Sequence, residues 1–345
     1  MLHGHVQLPN RKCGLRFTGQ VGYYSRGGGE AGQMSESLPT VLVTGCSSGI
    51  GRATALLLAE AGYRVLAGVR CPEQADRLST SALPRLEPIC LDVTKEDDVR
   101  RVVDFAEKTC PEGLYGLVNN AGMGLPAAVE LSSIDEVRQV LEVNTIGPLR
   151  MIQHCLPLLR AGRGRVINMS SMNGTLALPM VGVYSASKFA LEALSDTLRV
   201  ELRPWRIPVI IIRPGQVRTS IFAKARDNLK TGSREIPAEL KDGYDIMYAR
   251  AGEFNERGAQ SSTSPEMVAR VVQRALEAKR PRTHYLVGID ARGMQLAKSF
   301  VPRRVLDRTF ARVMRVLKPV SRVATATSNG DPPRRVEATA VSPRS

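Results

Sequence analysis

The 345-residue sequence predicts an α/β fold, a doubly wound parallel sheet of about seven strands with helices on both faces. Two patterns predict it. Short apolar, β-branched runs alternate with segments of helical periodicity, the mark of right-handed βαβ crossovers and one parallel sheet. The residues that suggest chemistry, Gly45, Asp92, Asn119, Ser171 and Gly215, fall at or just after the ends of those runs. Ligands of such sheets bind beyond the carboxyl ends of the strands, so these five positions are expected in one cleft.

The first strand, Thr40–Thr44, feeds Gly45-Cys46-Ser47-Ser48-Gly49-Ile50-Gly51, and Arg52–Ala61 is helical. A glycine turn is often only a tight turn. Between a strand and a helix, it lets the backbone approach a diphosphate whose charge the helix N-terminus favours. The second strand, Arg64–Val69, ends at Arg70. NAD(H) calls for a carboxylate there to hold the adenosine ribose hydroxyls. Val69 and Arg70 supply none, and a guanidinium suits a 2′-phosphate, so NADP(H) is preferred. NAD(H) stays open, as does a plain solvated arginine.

Leu86–Leu91 is the third strand, followed by Asp92-Val93, and Lys95–Lys108 is an amphipathic helix. Gly116–Asn119 is the fourth strand and leads into Asn120-Ala121-Gly122. Ser133 and Glu136 form a capping box that opens a long helix to about Leu159. The fifth strand, Arg165–Met169, ends at Ser170-Ser171; Tyr184–Arg203 is helical; Pro208–Ile212 and His284–Val287 complete the sheet. Ser264-Pro265 opens a helix to about Ala278. Tyr184 and Lys188 lie four apart on one helix and share a face. An ammonium beside a phenol favours the phenolate and lowers its pKa from ~10. Ser171 stands ready to hydrogen-bond the same reacting oxygen. The Tyr–Lys spacing also recurs by chance; the glycine turn upstream gives it weight.

The net charge of +15 belongs to the ends: residues 1–33 carry +3 and residues 298–345 carry +8, leaving +4 between them. A nearly balanced centre argues against a nucleic-acid-binding core. Six scattered cysteines (Cys13, Cys46, Cys71, Cys90, Cys110, Cys155) and four dispersed histidines predict reduced thiols in a cytoplasmic setting and no metal site. No apolar run approaches the ~20 residues of a membrane-spanning helix. The N-terminus has no secretory signal.

Thr44-Gly45-Cys-Ser-Ser-Gly49-Ile-Gly51, Asp92-Val93, Asn119-Asn120-Ala121-Gly122, Asn144, Ser171, Tyr184-x-x-x-Lys188 and Pro214-Gly215 together resemble the short-chain dehydrogenase/reductases. The match is to the single-domain Rossmann-type members and spans roughly residues 38–290. The resemblance implies an oxidoreductase moving hydride between a nicotinamide and an alcohol or carbonyl. The glycine motif, with Ser47, Ser48 and Ile50, would admit the diphosphate. Asp92 and Val93 would meet the adenine, Asn119, Ala121 and Gly122 would brace and line the centre, and Arg70 would face the 2′-phosphate. Pro214, Gly215, Val217 and Thr219 would hold the carboxamide. Tyr184 would be the general acid/base, Ser171 would orient the substrate, and Lys188 would lower the phenol pKa and bind ribose. Asn144 would complete the set through its carbonyl. Pro148 has no N–H to give that carbonyl, so either a bridging water to Lys188 or a simple kink accounts for it. A non-catalytic NADP(H)-binding sensor or scaffold is the other reading of the same fold.

The resemblance runs nearest to the hydroxysteroid and retinol dehydrogenases, implying a lipid-like substrate and a homodimer or homotetramer. Residues 220–263, with Ile221, Phe222, Ile236, Leu240, Tyr244, Ile246, Met247, Tyr248 and Phe254, occupy the place of a substrate lid; these residues either meet an apolar ligand or pack the segment onto the body. The domain reading is an N-terminal disordered arm (1–37, with Met34 an alternative start), a catalytic domain (38–297), a basic amphipathic helix (298–319) and a disordered tail (320–345). Within 302–317, apolar Leu306, Phe310, Val313, Met314 and Leu317 share a face among arginines. That helix either lies peripherally on an anionic membrane or docks on the body or a partner subunit.

Overall fold

The computed structural model describes residues 39–81, 83–218, 236–260 and 263–314. Its strands are β1 (Thr40–Val43), β2 (Arg64–Val69), β3 (Leu86–Cys90), β4 (Gly116–Asn119), β5 (Arg165–Met169), β6 (Val209–Pro214) and β7 (His284–Val287). They form one sheet in the order β3-β2-β1-β4-β5-β6-β7, parallel throughout. The order reverses between β1 and β4, which opens a crevice at their carboxyl ends. The helices are α1 (Gly49–Glu60), α2 (Pro72–Ser79), α3 (Glu96–Thr109), α4 (Ile134–Leu141), α5 (Gly147–Ala161), α6 (Gly182–Glu201), α7 (Lys241–Gln260), α8 (Pro265–Glu277), α9 (Ile289–Phe300) and α10 (Arg303–Val313).

Strand side chains alternate between faces, and both faces are committed to a core. Val41, Val43, Val65, Ala67, Ile210 and Ile212 pack with Leu58 of α1 and with Val268 and Val272 of α8. Leu42, Leu66, Leu117, Val166 and Val209 pack on the other face with Val99 of α3 and with Met151, Ile152 and Leu159 of α5. Each such side chain, fully buried, contributes about 1.5–3 kcal/mol. A one-residue slip of any strand would exchange the two sets, so the register is specified.

Local signals set the helix ends. Ser133 and Glu136 form the expected capping box at α4, and the Ser264 hydroxyl accepts the Met267 N–H at α8. The single long helix expected from Ser133 is divided: α4 stops at Leu141, a π-helical turn occupies Glu142–Ile146, and α5 starts at Gly147. Pro148 is the cause. Its ring clashes with an ordinary helical carbonyl four residues back, and a widened turn relieves this.

The 220–263 segment, expected in the place of a substrate lid, contains the helix α7, whose Tyr244, Met247, Tyr248 and Ala251 recur at helical spacing and pack around Ala128 and Met180. Of the C-terminal helix expected over 298–319, the described part is α9's last residues followed by α10, and residues 315–319, with Leu317, lie outside the described residues. Residues 1–37, the tail from 320, Thr219, Ile221 and Phe222 lie outside the described residues.

Candidate active site

The loop after β1 has no room for side chains. Gly45 adopts φ +72°, and a Cβ on it would lie 2.8 Å from the Ala121 Cα; a Cβ on Gly51 would lie 2.2 Å from the Gly45 carbonyl oxygen. Thr44 and Asn120, to which the sequence reading assigned no role, staple this loop to the one after β4. The Thr44 hydroxyl accepts the N–H groups of Asn120 (3.0 Å) and Ala121 (2.9 Å). The Asn120 amide donates to the carbonyls of Thr44 (2.9 Å) and Gly45 (3.1 Å). The helix α1 starts without a side-chain cap and without an acidic residue in its first turn, so its leading N–H groups suit an anion. Ser47 and Ser48 are exposed beside them, while Gly49 and Ile50 are half-buried.

Arg70 is exposed at the end of β2, where no carboxylate precedes it. Asp92 is fixed by its own turn, one oxygen accepting from the Thr94 N–H (3.0 Å) and hydroxyl (2.7 Å). Val93 is buried, and its carbonyl accepts from Arg150 at 2.6 Å. A cradle closed to any Cβ, an uncapped helix N-terminus and a cation at the β2 end fit a dinucleotide.

Beyond β5, Ser171 caps a short 3₁₀ turn and its hydroxyl accepts the Asn173 N–H at 3.2 Å. On α6, the Lys188 ammonium sits 5.9 Å from the Tyr184 ring centroid. It is only 5% exposed and donates to the Met169 carbonyl at 2.9 Å. Asn144, within the π turn, joins three elements: its amide donates to the Met123 carbonyl (2.8 Å) and the Ser187 hydroxyl (3.0 Å), and its oxygen accepts the Met123 N–H (2.8 Å). Gly122 lies between them, since a Cβ there would be 3.3 Å from the Asn144 Oδ1 and 3.7 Å from the Lys188 Nζ. Asn119 braces β4 to β5 through Asn168 (2.9 Å).

Burial pushes the Tyr184 phenol above its usual range, with a Ser171 hydrogen bond pulling the other way. Burial also brings Lys188 down to about 8, opposed by Glu192. Burial thus outweighs the lowering expected from Lys188, whose ammonium is held by the Met169 carbonyl.

Behind Lys188 lies a group the sequence reading missed. Glu192 is 6% exposed. It accepts the Ser170 hydroxyl at 2.5 Å and both ends of the Arg213 fork at 2.9 and 2.7 Å. The His284 imidazole lies 3.8 Å from it. Spacing carried the signal: Glu192 stands one helical turn past Lys188 and two past Tyr184. After β6, the Gly215 N–H donates to the Val287 carbonyl (2.8 Å). The Gln216 N–H donates to Asp290 (2.6 Å), whose carboxylate fills the space a Gly215 side chain would need. Pro214 closes β6, and buried Val217 pairs with Thr263.

The family model for short chain dehydrogenases matches residues 39–230. The chain is a short-chain dehydrogenase. Mouse "Retinol dehydrogenase 5" is 36% identical to this dehydrogenase over 79% of the chain and 89% of its own length. Human "17-beta-hydroxysteroid dehydrogenase type 6" is 34% identical over 79% of the chain and 87% of its own. Among solved structures, a short-chain dehydrogenase from Burkholderia cenocepacia in complex with NADP superposes with a TM-score of 0.61 at 25% identity, covering 82% of this chain and 98% of that one. The dehydrogenase is an oxidoreductase of CH–OH donors in the hydroxysteroid and retinol dehydrogenase-like branch.

The 177–179 loop, which lies between Ser171 and Tyr184 in the chain, faces Met247 of α7, Phe310 of α10 and Met314 across a mainly apolar cleft of about 370 Å³ that Arg303 and Asp307 also line. Leu306 of α10 and Met314 just past its end are buried, so this helix docks on the body through them, while Val313 stays 45% exposed. Among the described residues, no helix is long and apolar enough to cross a membrane.

Proposed function

We propose that the dehydrogenase uses NADP(H), in preference to NAD(H), to interconvert an apolar alcohol and its carbonyl, of steroid, retinoid or other lipid-like character. The observation that carries the reaction is the convergence of Ser171, Tyr184, Lys188 and Asn144 beside a loop closed to side chains. Gly45, Gly49 and Gly51 hold the diphosphate with Ser47, Ser48 and Ile50, Asp92 and Val93 meet the adenine, and Arg70 meets the 2′-phosphate. Ala121, Gly122, Pro214, Gly215, Val217 and Thr219 line the nicotinamide half, and Asn119 braces the strand beneath. Bound there, the cofactor gives or takes hydride at the substrate carbon. Tyr184 protonates the forming alkoxide in reduction and removes the hydroxyl proton in oxidation. Ser171 holds the same oxygen. Lys188 carries the compensating charge and contacts the ribose, and the Asn144 carbonyl, to which Pro148 offers no N–H, holds a water that relays the proton to solvent.

The apolar cleft beside the 177–179 loop supports the substrate class, and so do the names of the relatives. Ile134, Ile146 and Phe189, exposed on the elements that carry Asn144 and Tyr184, support a homodimer or homotetramer through those helices. The free thiols of Cys46, Cys71, Cys110 and Cys155 suit a cytoplasmic setting, with peripheral membrane contact through the basic 302–317 segment.

Turnover of a panel of steroid, retinoid and short polar alcohols and ketones with NADPH and NADH tests this reading. Efficient turnover of the apolar members with NADPH is expected; a preference for NADH or for the polar members would overturn it. Arg70→Ala is expected to raise the KM for NADPH roughly tenfold and to leave that for NADH nearly unchanged, as loss of one charge-assisted phosphate contact requires.

A further inference from the structure

The outer face of α9 is apolar and uncovered among the described residues. Ile289 is 89% exposed, Leu296 60% and Phe300 80%. They follow one another at seven- and four-residue spacing, along one face of the helix. Gly293 falls on the same face, and a Cβ there would meet nothing within 4 Å. The inner side is accounted for: Ala291 is buried, and Asp290 accepts the Gln216 N–H. Single exposed apolar residues are ordinary, but an aligned set of large ones marks a contact face.

Charge identifies what that face contacts. The four cations of residues 289–307 are Arg292, Lys298, Arg303 and Arg304, against Asp290, which is turned to the Gln216 N–H, and Asp307, which pairs with Arg303 at 3.2 Å. All four cations are exposed. An apolar stripe within a net basic segment matches an anionic lipid surface, where side chains enter the headgroup layer and each nearby cation adds electrostatic attraction.

We propose that the stripe Ile289–Leu296–Phe300 docks α9 on an anionic membrane, with Arg292, Lys298, Arg303 and Arg304 on the lipid headgroups. This rests on the reading of the basic C-terminal segment as a membrane contact, and shifts its apolar part from α10 to α9. On α10, Leu306 is buried on the body and Phe310 lines the cleft. Asp290 ties the same helix to the Gly215–Gln216 loop, so the membrane lies beside the active site.

Flotation of the full chain with phosphatidylcholine vesicles, with and without about one-third phosphatidylserine, tests it. Binding to the anionic vesicles is expected, and the variant Ile289→Ser/Leu296→Ser/Phe300→Ser should bind roughly tenfold or more weakly. Its turnover of a water-soluble ketone should be unchanged, which shows that it folds. Undiminished binding by that variant, together with loss of binding on Arg304→Glu/Arg308→Glu/Arg312→Glu, would overturn the α9 assignment and leave the basic-segment reading standing. No vesicle binding by the natural chain would overturn both. A dimer that the serine variant dissolves, without any lipid binding, would assign the stripe to a second copy and overturn the proposal.

Discussion

Tyr184→Phe is expected to lower kcat by about 10²–10⁴-fold, with the Kd for NADP(H) moving by less than roughly threefold. The substitution removes one oxygen and keeps the ring. Lys188 is anchored by the Met169 carbonyl and not by the phenol, so α6 and the lysine stay where they are. Only the proton donor is lost. Single-turnover kinetics with cofactor binding by fluorescence would check this, and a variant within about fivefold of the natural rate would remove Tyr184 from the chemistry.

Lys188 gives the accompanying pH dependence. Its folded pKa of about 8 lies below the ordinary 10.5, chiefly through burial. Below about pH 8 the ammonium is charged and supports the phenolate; above it that support is lost, and the reduction rate should fall as pH rises through this value. For stability the sign is opposite. Between about 8 and 10.5 the unfolded chain binds the proton that the folded chain has released, so stability rises with pH across that window. The rise attributable to this group is about 3 kcal/mol. Denaturant melts at the two ends of the window should show it in the natural chain and not in Lys188→Met.

Much of this site was readable before any coordinates. Parallel strands buried on both faces read as plain apolar runs, so all seven could be placed to within two or so residues of their ends. Pro148 announced the irregularity at Asn144, because a missing N–H is a local fact of the sequence. The glycine motif was equally local. What could not be read depends on distant pairing. Asp290 reaches Gln216 across 74 residues, and the phenol's raised pKa follows from packing that no spacing records. The helix α9 escaped notice for a related reason: its large apolar residues face outward, against the expectation that an amphipathic helix points them at the core.

The position of Glu192 could be read from its spacing but its pairing with Arg213, 21 residues on, could not. Glu192→Gln is expected to destabilise the folded state by about 3–5 kcal/mol, the cost of breaking a buried pair and leaving one charge alone. Arg213 is the charge left behind. Its side chain is 14% exposed, and both donors of its fork are directed at this carboxylate. Against a total stability of about 5–15 kcal/mol, that loss is large. The double variant Glu192→Gln/Arg213→Met removes the stranded cation and should regain much of it; a double variant no more stable than the single would show that the ion pair is not the source. Catalysis should suffer as well, at temperatures where the variant is folded. Ser170, whose hydroxyl Glu192 holds, sits between Met169, which anchors Lys188, and Ser171. Glu192 also raises the Lys188 pKa against burial. Its neutralisation should therefore move the alkaline fall of the reduction rate to lower pH, a displacement that simple loosening of the fold would not produce.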